Sequence, residues 1–300
     1  MKGVNEESLE SKLSNTKIVF TSLVAGAVAG ALAKTTIAPL DRTKINFQIA
    51  NKRYSTRAAF KFIGETYRKD GFISLWRGNS ATMARIIPYA AIQFTSHEQW
   101  KRLLNVDTGK EKEHNDTRRF MAGSLAGITS QTMTYPLDLA RARMAVTNKE
   151  KYHSLIQVFV SIWKEEGPYA FYKGYIPTIL GVIPYAGVSF YTYGTLQNWF
   201  VYEFGGANAF TNLICGAIAG MLGQSSSYPL DIVRRRMQTS AVTGQVYHSV
   251  LGTLVKVYRE EGLVQGIYKG LSMNWVKGPI AVGISFATYD HIRDYLRSFV

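Results

Sequence analysis

The stretch Pro39-Leu40-Asp41-Arg42-Thr43-Lys44 occurs three times in altered form and decides the fold. Its counterparts are PLDLAR at 136–141 and PLDIVR at 229–234, so the copies begin 97 and 93 residues apart. After each copy comes an acidic residue followed by glycine, and then an aromatic-basic-glycine triplet: WRG at 76–78, YKG at 172–174 and YKG at 268–270. The triplets are spaced by 96 residues both times. A period this constant indicates three repeated structural units.

Each unit contains two apolar stretches of about the length that crosses a bilayer, roughly 20 residues. The first unit has them at 18–37 and 81–94. The mean hydropathy of the chain is only −0.06, which is low for a membrane protein. Helices that turn one face toward a water-filled cavity tolerate polar residues on that face. The pattern therefore predicts six tilted membrane helices around a wet cavity.

A pair of glycines four residues apart lies upstream of each repeated proline. Such pairs let helix backbones approach closely where lipid supplies no hydrophobic drive for association. We therefore expect close helix contacts at these positions. The pairs are Gly26 and Gly30, Gly123 and Gly127, and Gly216 and Gly220.

Positive charge is concentrated in the three segments that join the paired helices, 40–79, 137–175 and 230–271. They contain 21 Lys and Arg against 10 acids, which accounts for +11 of the formal net charge of +14. By the positive-inside rule these segments share one side of the membrane and both termini lie on the other. Amphipathic stretches such as 55–68 and 248–259 are too polar to span the bilayer and are expected to lie at its surface.

Several other classes of protein are disfavoured. The basic composition invites a nucleic-acid interpretation, but the chain contains none of the zinc, zipper or RNA-binding signatures. Cys215 is the single cysteine, which excludes a disulfide framework or a cysteine metal cluster within one chain. No nucleophile has a base at motif spacing, so we expect no enzyme, no cofactor and no metal site. Residues 1–16 form a polar segment unlike a transit peptide.

The repeated proline-x-acid-x-x-basic, acid-glycine and aromatic-basic-glycine motifs resemble those of the mitochondrial carrier family over almost the whole chain. The resemblance implies an all-α membrane protein of six tilted helices in pseudo-threefold repeats, with short matrix amphipathic helices. One carrier domain, 1–300, would contain repeats at about 17–105, 115–205 and 208–300. It also implies a monomer in the mitochondrial inner membrane. The alternative of another class, a soluble helical-repeat binding protein, gives no reason for cations in the middle of apolar helices.

In that family the acid of each odd-numbered helix pairs with the basic residue of the next and closes the cavity toward the matrix. The implied matrix gate consists of Asp41 with Arg141, Asp138 with Arg234, and Asp231 with Lys44. Glutamines that brace such pairs correspond to Gln48 and Gln238. The middle repeat has Ala145 at that place.

The family closes the opposite end with an aromatic-acid-x-x-basic motif on each even-numbered helix, from which this chain departs. The corresponding residues of the cytoplasmic gate are Glu98, Lys101, Gln197, Asp290 and Arg293. By analogy Arg293 would pair with Glu98, and Gln197 with Asp290, leaving Lys101 unmatched. A gate this weak should favour a resting state open to the cytosol.

Arg85, Gly181 and Lys277 lie seven residues after the three triplet glycines, so in a threefold barrel they face the axis at one depth. The family uses these places as substrate contacts, and the resemblance implies that Gly181-Val182 goes with an adenine. Tyr185 would stack on the ring, while the two cations hold phosphates. Tight helix packing is the alternative role for Gly181. Five residues before the first repeated proline, Lys34 adds a cation on the cavity side.

Four strings of the sequence are most similar to coenzyme A-carrying members of the family: 38–44, 76–82, 184–186 and 270–279. They imply import of coenzyme A, dephospho-coenzyme A or adenosine 3′,5′-bisphosphate in exchange for matrix adenine nucleotides. The alternative is another adenine-nucleotide carrier, of the ADP/ATP type or the ATP-magnesium/phosphate type. The string RRRMQT at 234–239 matches only half of the signature of the ADP/ATP carriers. The ATP-magnesium/phosphate carriers have EF-hand loops, and none fits in this sequence. Lipid phosphates, as in cardiolipin, are expected at the helix starts after the triplet glycines.

Overall fold

The protein is described by a computed structural model that covers residues 15–106, 115–205 and 208–299. The described residues are helical almost throughout and contain no strand. In chain order the helices are α1 (Asn15–Ile49), α2 (Thr56–Asp70), α3 (Asn79–Leu103), α4 (Asn115–Val146), α5 (Leu155–Glu166), α6 (Tyr175–Leu180), α7 (Val182–Phe204), α8 (Ala209–Thr243), α9 (Val250–Glu261) and α10 (Leu271–Ser298).

Each repeat consists of a long helix with an internal proline, a short amphipathic helix and a second long helix. The short helices α2, α5 and α9 begin at a serine whose hydroxyl accepts a hydrogen bond from a backbone N–H three residues on. Each then ends at the glycine of the acid-glycine pair. A hydroxyl cap and a terminal glycine are local signals for a helix start and a helix end. The amphipathic helices expected within 55–68 and 248–259 are thus present.

The repeats pack in a ring. The last long helix of each repeat lies along the first long helix of the next: α3 along α4, α7 along α8, and α10 back along α1. This arrangement is the expected all-α threefold architecture around a central cavity. Within the described residues only Thr21–Ile49 is long and apolar enough to span a membrane by composition alone. Polar residues within the other long helices are expected for helices that face a water-filled cavity.

The glycine pairs four residues apart do not make the close contacts we expected. A Cβ added at five of these six glycines would have no neighbour within 4 Å, and at Gly26 the nearest atom is 3.9 Å away. The predicted role is therefore wrong for this arrangement of the helices. Close approach occurs instead at the triplet glycines, where a Cβ at Gly78 or Gly174 would lie 2.9 Å from a backbone oxygen of the next repeat.

Candidate functional site

Three ion pairs join the first long helices of the three repeats, α1, α4 and α8, at one end of the cavity. Lys44 Nζ lies 2.7 Å from Asp231 Oδ2, and Arg234 Nη2 lies 2.6 Å from Asp138 Oδ2. Arg141 makes the third pair with Asp41. These are the partners that the resemblance implied. The acids are largely buried, so removing one partner would leave an uncompensated charge at a cost of about 3–5 kcal/mol.

Two of the three pairs have a glutamine-tyrosine brace. Gln48 Nε2 donates to Asp231 Oδ2 at 3.0 Å and to the hydroxyl of Tyr228 at 3.2 Å. Gln238 Nε2 donates to Asp138 Oδ2 at 2.8 Å and to the hydroxyl of Tyr135 at 3.0 Å. The tyrosines precede the repeated prolines and were not identified from the sequence. Their position beside proline in two of the three repeats was the available signal.

The third pair, Asp41 with Arg141, is built differently. Ala145 occupies the glutamine position and Ala38 the tyrosine position, and a cavity of about 10 Å³ lies beside both alanines. The additional partner of Asp41 is Lys277, whose Nζ lies 2.5 Å from Oδ1. Lys277, which is a predicted substrate contact, therefore gives a second partner to Asp41 in the one ion pair that has no glutamine-tyrosine brace.

Arg85 and Lys277 are not the unpaired cations that we expected at mid-membrane. Arg85 donates to Gln131 Oε1 at 2.7 Å and to the hydroxyl of Thr134 at 3.2 Å, and it lies 3.9 Å from Asp138. Two of the predicted contact residues therefore lie within 4 Å of acids of the three ion pairs, so the predicted substrate site adjoins the predicted matrix gate. The exposed Lys34 has Asp41, Arg141, Lys277 and Arg85 among its charged neighbours.

Gly181 interrupts the second long helix of the middle repeat, since α6 ends at Leu180 and α7 begins at Val182. Pro184 has no N–H, so it leaves the carbonyl of Leu180 without the donor that a regular helix would supply. A Cβ at Gly181 would lie 3.6 Å from Leu230 Cβ and 3.2 Å from the Pro177 oxygen. Gly181 therefore packs against α8 and also lines the cavity, a position compatible with both of its proposed roles.

A cavity of about 320 Å³ opens beside this break and contains most of the predicted contact residues: Gly181, Val182, Tyr185 and Lys277. Three further cations also line this cavity. The sequence analysis assigned Lys44 and Arg234 to the matrix gate, whereas it did not assign Arg235. The Nε atoms of Arg234 and Arg235 are buried and have no hydrogen-bond partner within the described chain. A cavity with convergent, incompletely satisfied cations is suited to a multiply charged anion.

At the end of the cavity opposite the three ion pairs, charged residues of the predicted cytoplasmic gate contact partners on their own helix. Glu98 lies 3.1 Å from Lys101, one turn along α3. Arg293 lies 3.3 Å from Asp290 and 3.0 Å from Asp294, both on α10. The expected pairing of Arg293 with Glu98, and of Asp290 with Gln197, is therefore wrong in this structure, as is the expectation that Lys101 stands unmatched.

At the end of the cavity that has the three ion pairs, two arginines that the sequence analysis missed connect the amphipathic helices to the long helices. Arg143 binds Glu166, and Arg236 binds Glu261; each also donates to the backbone carbonyl of a glutamine position in the next repeat, at 3.1 Å. Burial favours protonation of Glu166, but hydrogen bonds from Arg143 and Lys173 outweigh it and lower the pKa of this carboxyl. The sequence signal for these two arginines was their position five residues after the aspartate of the PLD motif, which recurs in the second and third repeats.

Comparison with known proteins agrees with this architecture. The family model described as mitochondrial carrier protein matches residues 15–108, 112–204 and 206–299, one match for each repeat. The chain therefore belongs to the mitochondrial carrier family and is a transporter of mitochondrial membranes.

Among its relatives is the mitochondrial coenzyme A transporter SLC25A42. The Danio rerio protein of that name is 58% identical over 284 residues, which cover 94% of this chain and 88% of the relative. The Homo sapiens protein is 55% identical over 298 residues, covering 98% of this chain and 93% of the relative. The Homo sapiens solute carrier family 25 member 16 is 39% identical over 298 residues, which cover 91% of this chain and 87% of the relative.

Proposed function

We propose that the protein exchanges coenzyme A, and also dephospho-coenzyme A or adenosine 3′,5′-bisphosphate, for matrix adenine nucleotides across the mitochondrial inner membrane. It acts by alternating access around a fixed site near the midplane and has no catalytic role. The observation that carries this proposal is the cavity in which Gly181, Val182 and Tyr185 lie next to Lys277, Arg234 and Arg235. The names of the most similar relatives agree with it.

The adenine ring is assigned to the wall at the helix break. Gly181 leaves the wall flat at this point, and the half-exposed ring of Tyr185 lies one turn further on. Stacking of an aromatic side chain on a base contributes about 1–3 kcal/mol and so rewards an aromatic substrate.

The phosphates are assigned to the cations around the same cavity. The unsatisfied Nε atoms of Arg234 and Arg235 and the ammonium of Lys277 offer charge-assisted donors, the strongest kind of hydrogen bond for an anion. Phosphate binding would draw Lys277 away from Asp41. Part of the binding energy is then spent on loosening the matrix gate, which favours exchange over net flow.

The orientation follows from charge. The basic segments 40–79, 137–175 and 230–271 face the matrix, and both termini face the intermembrane space. Lipid phosphates, as in cardiolipin, bind at the amide-rich starts of α3, α6 and α10. The protein works as a monomer, because the described repeats already close the ring.

The substrate is tested by uptake into liposomes that contain the purified protein and are preloaded with ADP. Labelled coenzyme A, adenosine 3′,5′-bisphosphate, ADP, phosphate and a dicarboxylate are compared at equal concentration. We expect rapid uptake of the first two, dependent on internal ADP. Uptake of ADP with no uptake of coenzyme A would favour the ADP/ATP or ATP-magnesium/phosphate type of carrier, and transport of phosphate or dicarboxylate alone would end the adenine hypothesis.

A further inference from the structure

A second cavity adjoins the first and is not explained by the contact residues described so far. Its volume is about 470 Å³, and it lies between α3, α4 and the α6–α7 break. The two cavities share the lining residues Thr178, Val182 and Arg234. An extended molecule can therefore occupy both at once and pass Arg234 on its way.

The second cavity has the opposite chemical character to the first. Among the described residues that line it, only Arg234 at the junction is charged. Most of its surface is hydrocarbon or aromatic, contributed by Phe120, Ile128, Ile179, Ala186 and Phe190. Phosphate groups would lose hydration here without gaining partners, whereas an uncharged chain would bury apolar surface.

One buried donor in this cavity lacks a partner. Gln131 lines the cavity and uses its Oε1 to accept a hydrogen bond from Arg85 at 2.7 Å. Its Nε2 is buried and has no hydrogen-bond partner in the described part of the chain. An unsatisfied buried donor costs about 1–3 kcal/mol, so a ligand with a carbonyl at this point would recover that energy.

We propose that this second cavity binds the uncharged, amide-bearing pantetheine arm of coenzyme A and so distinguishes coenzyme A from smaller adenine nucleotides. The proposal rests on the proposed function. Adenine and phosphates occupy the first cavity, the pyrophosphate lies at Arg234, and the arm extends along Ile128 and Ile179. An amide carbonyl of the arm accepts the free N–H of Gln131. The arm's chain of methylene and amide groups matches the apolar wall with its single free donor.

The test compares coenzyme A with adenosine 3′,5′-bisphosphate, which has the adenine and phosphates but no arm. Ala186→Phe fills the second cavity from α7, at a position that does not line the first cavity. In liposomes preloaded with ADP, we expect this variant to lower the ratio of coenzyme A uptake to bisphosphate uptake by about tenfold or more, as for loss of a shaped apolar pocket. The bisphosphate rate itself should stay close to wild type.

A second variant, Gln131→Met, removes the donor and should lower the same ratio. An indirect effect through Arg85, or a general defect in the transport cycle, lowers both rates together and leaves the ratio unchanged. If the wild-type protein transports coenzyme A but neither variant changes the ratio of coenzyme A uptake to bisphosphate uptake, the arm site is overturned while the proposed function stands. Wild-type protein that carries the bisphosphate but not coenzyme A would overturn the proposed function, and the arm site with it.

Discussion

Glycine is required at position 174 for two reasons, its backbone conformation and its close packing against the next repeat. Its φ of +81° lies in the left-handed region that residues with a side chain avoid, and it starts α6 from this conformation. A Cβ here would also lie 2.9 Å from the backbone oxygen of Arg234, the gate residue of the next repeat. The glycine of the triplet therefore sets how closely one repeat approaches the gate of its neighbour.

We predict that Gly174→Ala lowers the stability of the protein by about 1–3 kcal/mol through backbone strain and steric conflict. The measurement is thermal unfolding of the purified protein in detergent. Gly187→Ala is the matched control, because Gly187 lies within α7, has an ordinary helical φ, and an added Cβ would meet nothing within 4 Å. Equal melting temperatures for the two variants would contradict the prediction.

Lys277, a predicted substrate contact, also pairs with Asp41 of the predicted matrix gate. Lys277→Gln removes a charged hydrogen-bond donor worth about 1.5–3 kcal/mol, so we expect exchange of phosphorylated substrates to fall by about 10- to 150-fold. Loss of the contact with Asp41 should also lower the melting temperature. Lys61→Gln, at an exposed position on α2, is the control for loss of positive charge and should change neither quantity. Near-normal exchange by Lys277→Gln would show that the contact ring lies elsewhere.

At the scale of elements, the three amphipathic helices are fastened unequally. Arg143 and Arg236 tie α5 and α9 to the long helices through Glu166 and Glu261. The first repeat has Asn46 instead of arginine, and its Asp70 is exposed. Asn46 still donates to the carbonyl of Ala145, at 2.9 Å, so the contact between repeats is kept while the ionic tie to α2 is lost.

This difference predicts that Glu166→Gln destabilises the protein on the order of 3 kcal/mol, since it leaves the fully buried Arg143 without its counter-charge. Asp70→Asn, at the equivalent place in the first repeat, should have little effect. Unfolding by denaturant or heat measures both. Comparable losses in the two variants would show that the ionic tie is not what holds α5.

The same tie gives a pH dependence. The pKa of Glu166 is lowered in the folded state, so its stabilising contribution is complete above the unfolded pKa of about 4.3 and declines as the pH falls below it. We therefore expect the stability difference between wild type and Glu166→Gln to be constant near neutrality and to shrink below about pH 4. If the stability difference between wild type and Glu166→Gln shrank as the pH was raised, the assigned direction of the Glu166 pKa shift would be wrong.

At the scale of the whole molecule, the two ends of the cavity are closed unequally. The matrix end has three pairs between helices, two of them braced. At the cytoplasmic end Glu98, Asp290 and Arg293 contact partners on their own helices. The middle repeat has Gly194 and Gln197 where the family motif has charges. This imbalance predicts a resting state open to the cytosol.

Labelling of Tyr185→Cys tests that prediction, because the native Cys215 is buried and contributes little background. In substrate-free vesicles with the cytosolic face outward, an impermeant thiol reagent should react rapidly with position 185. Adding Gly194→Asp and Gln197→Lys supplies the missing charges and should slow the labelling. Slow labelling that the added charges leave unchanged would count against an outer gate weakened by their loss.

Much of the fold could be read from the period alone. Helices, caps and triplet glycines recur at equivalent positions, so one local solution is built three times and the repeats must be related by rotation. The three ion pairs at the matrix end followed from the same register together with the family resemblance. The function of these residues as a gate stays a prediction, as does the assignment of Arg85, Gly181 and Lys277 to the substrate.

The three repeats, the segments in which positive charge is concentrated, and the acids and bases of the three ion pairs could be predicted from the sequence, because they depend on periodicity and composition. The contact of Lys277 with Asp41, the unsatisfied donor of Gln131 and the open space around the paired glycines are visible only in the folded chain. Such contacts join residues far apart in the chain, and they depend on how the helices are rotated and tilted against one another. For that reason the three ion pairs of the PLD motifs are not equivalent: the pair of Asp41 with Arg141 has its additional partner in Lys277, which lines the central cavity.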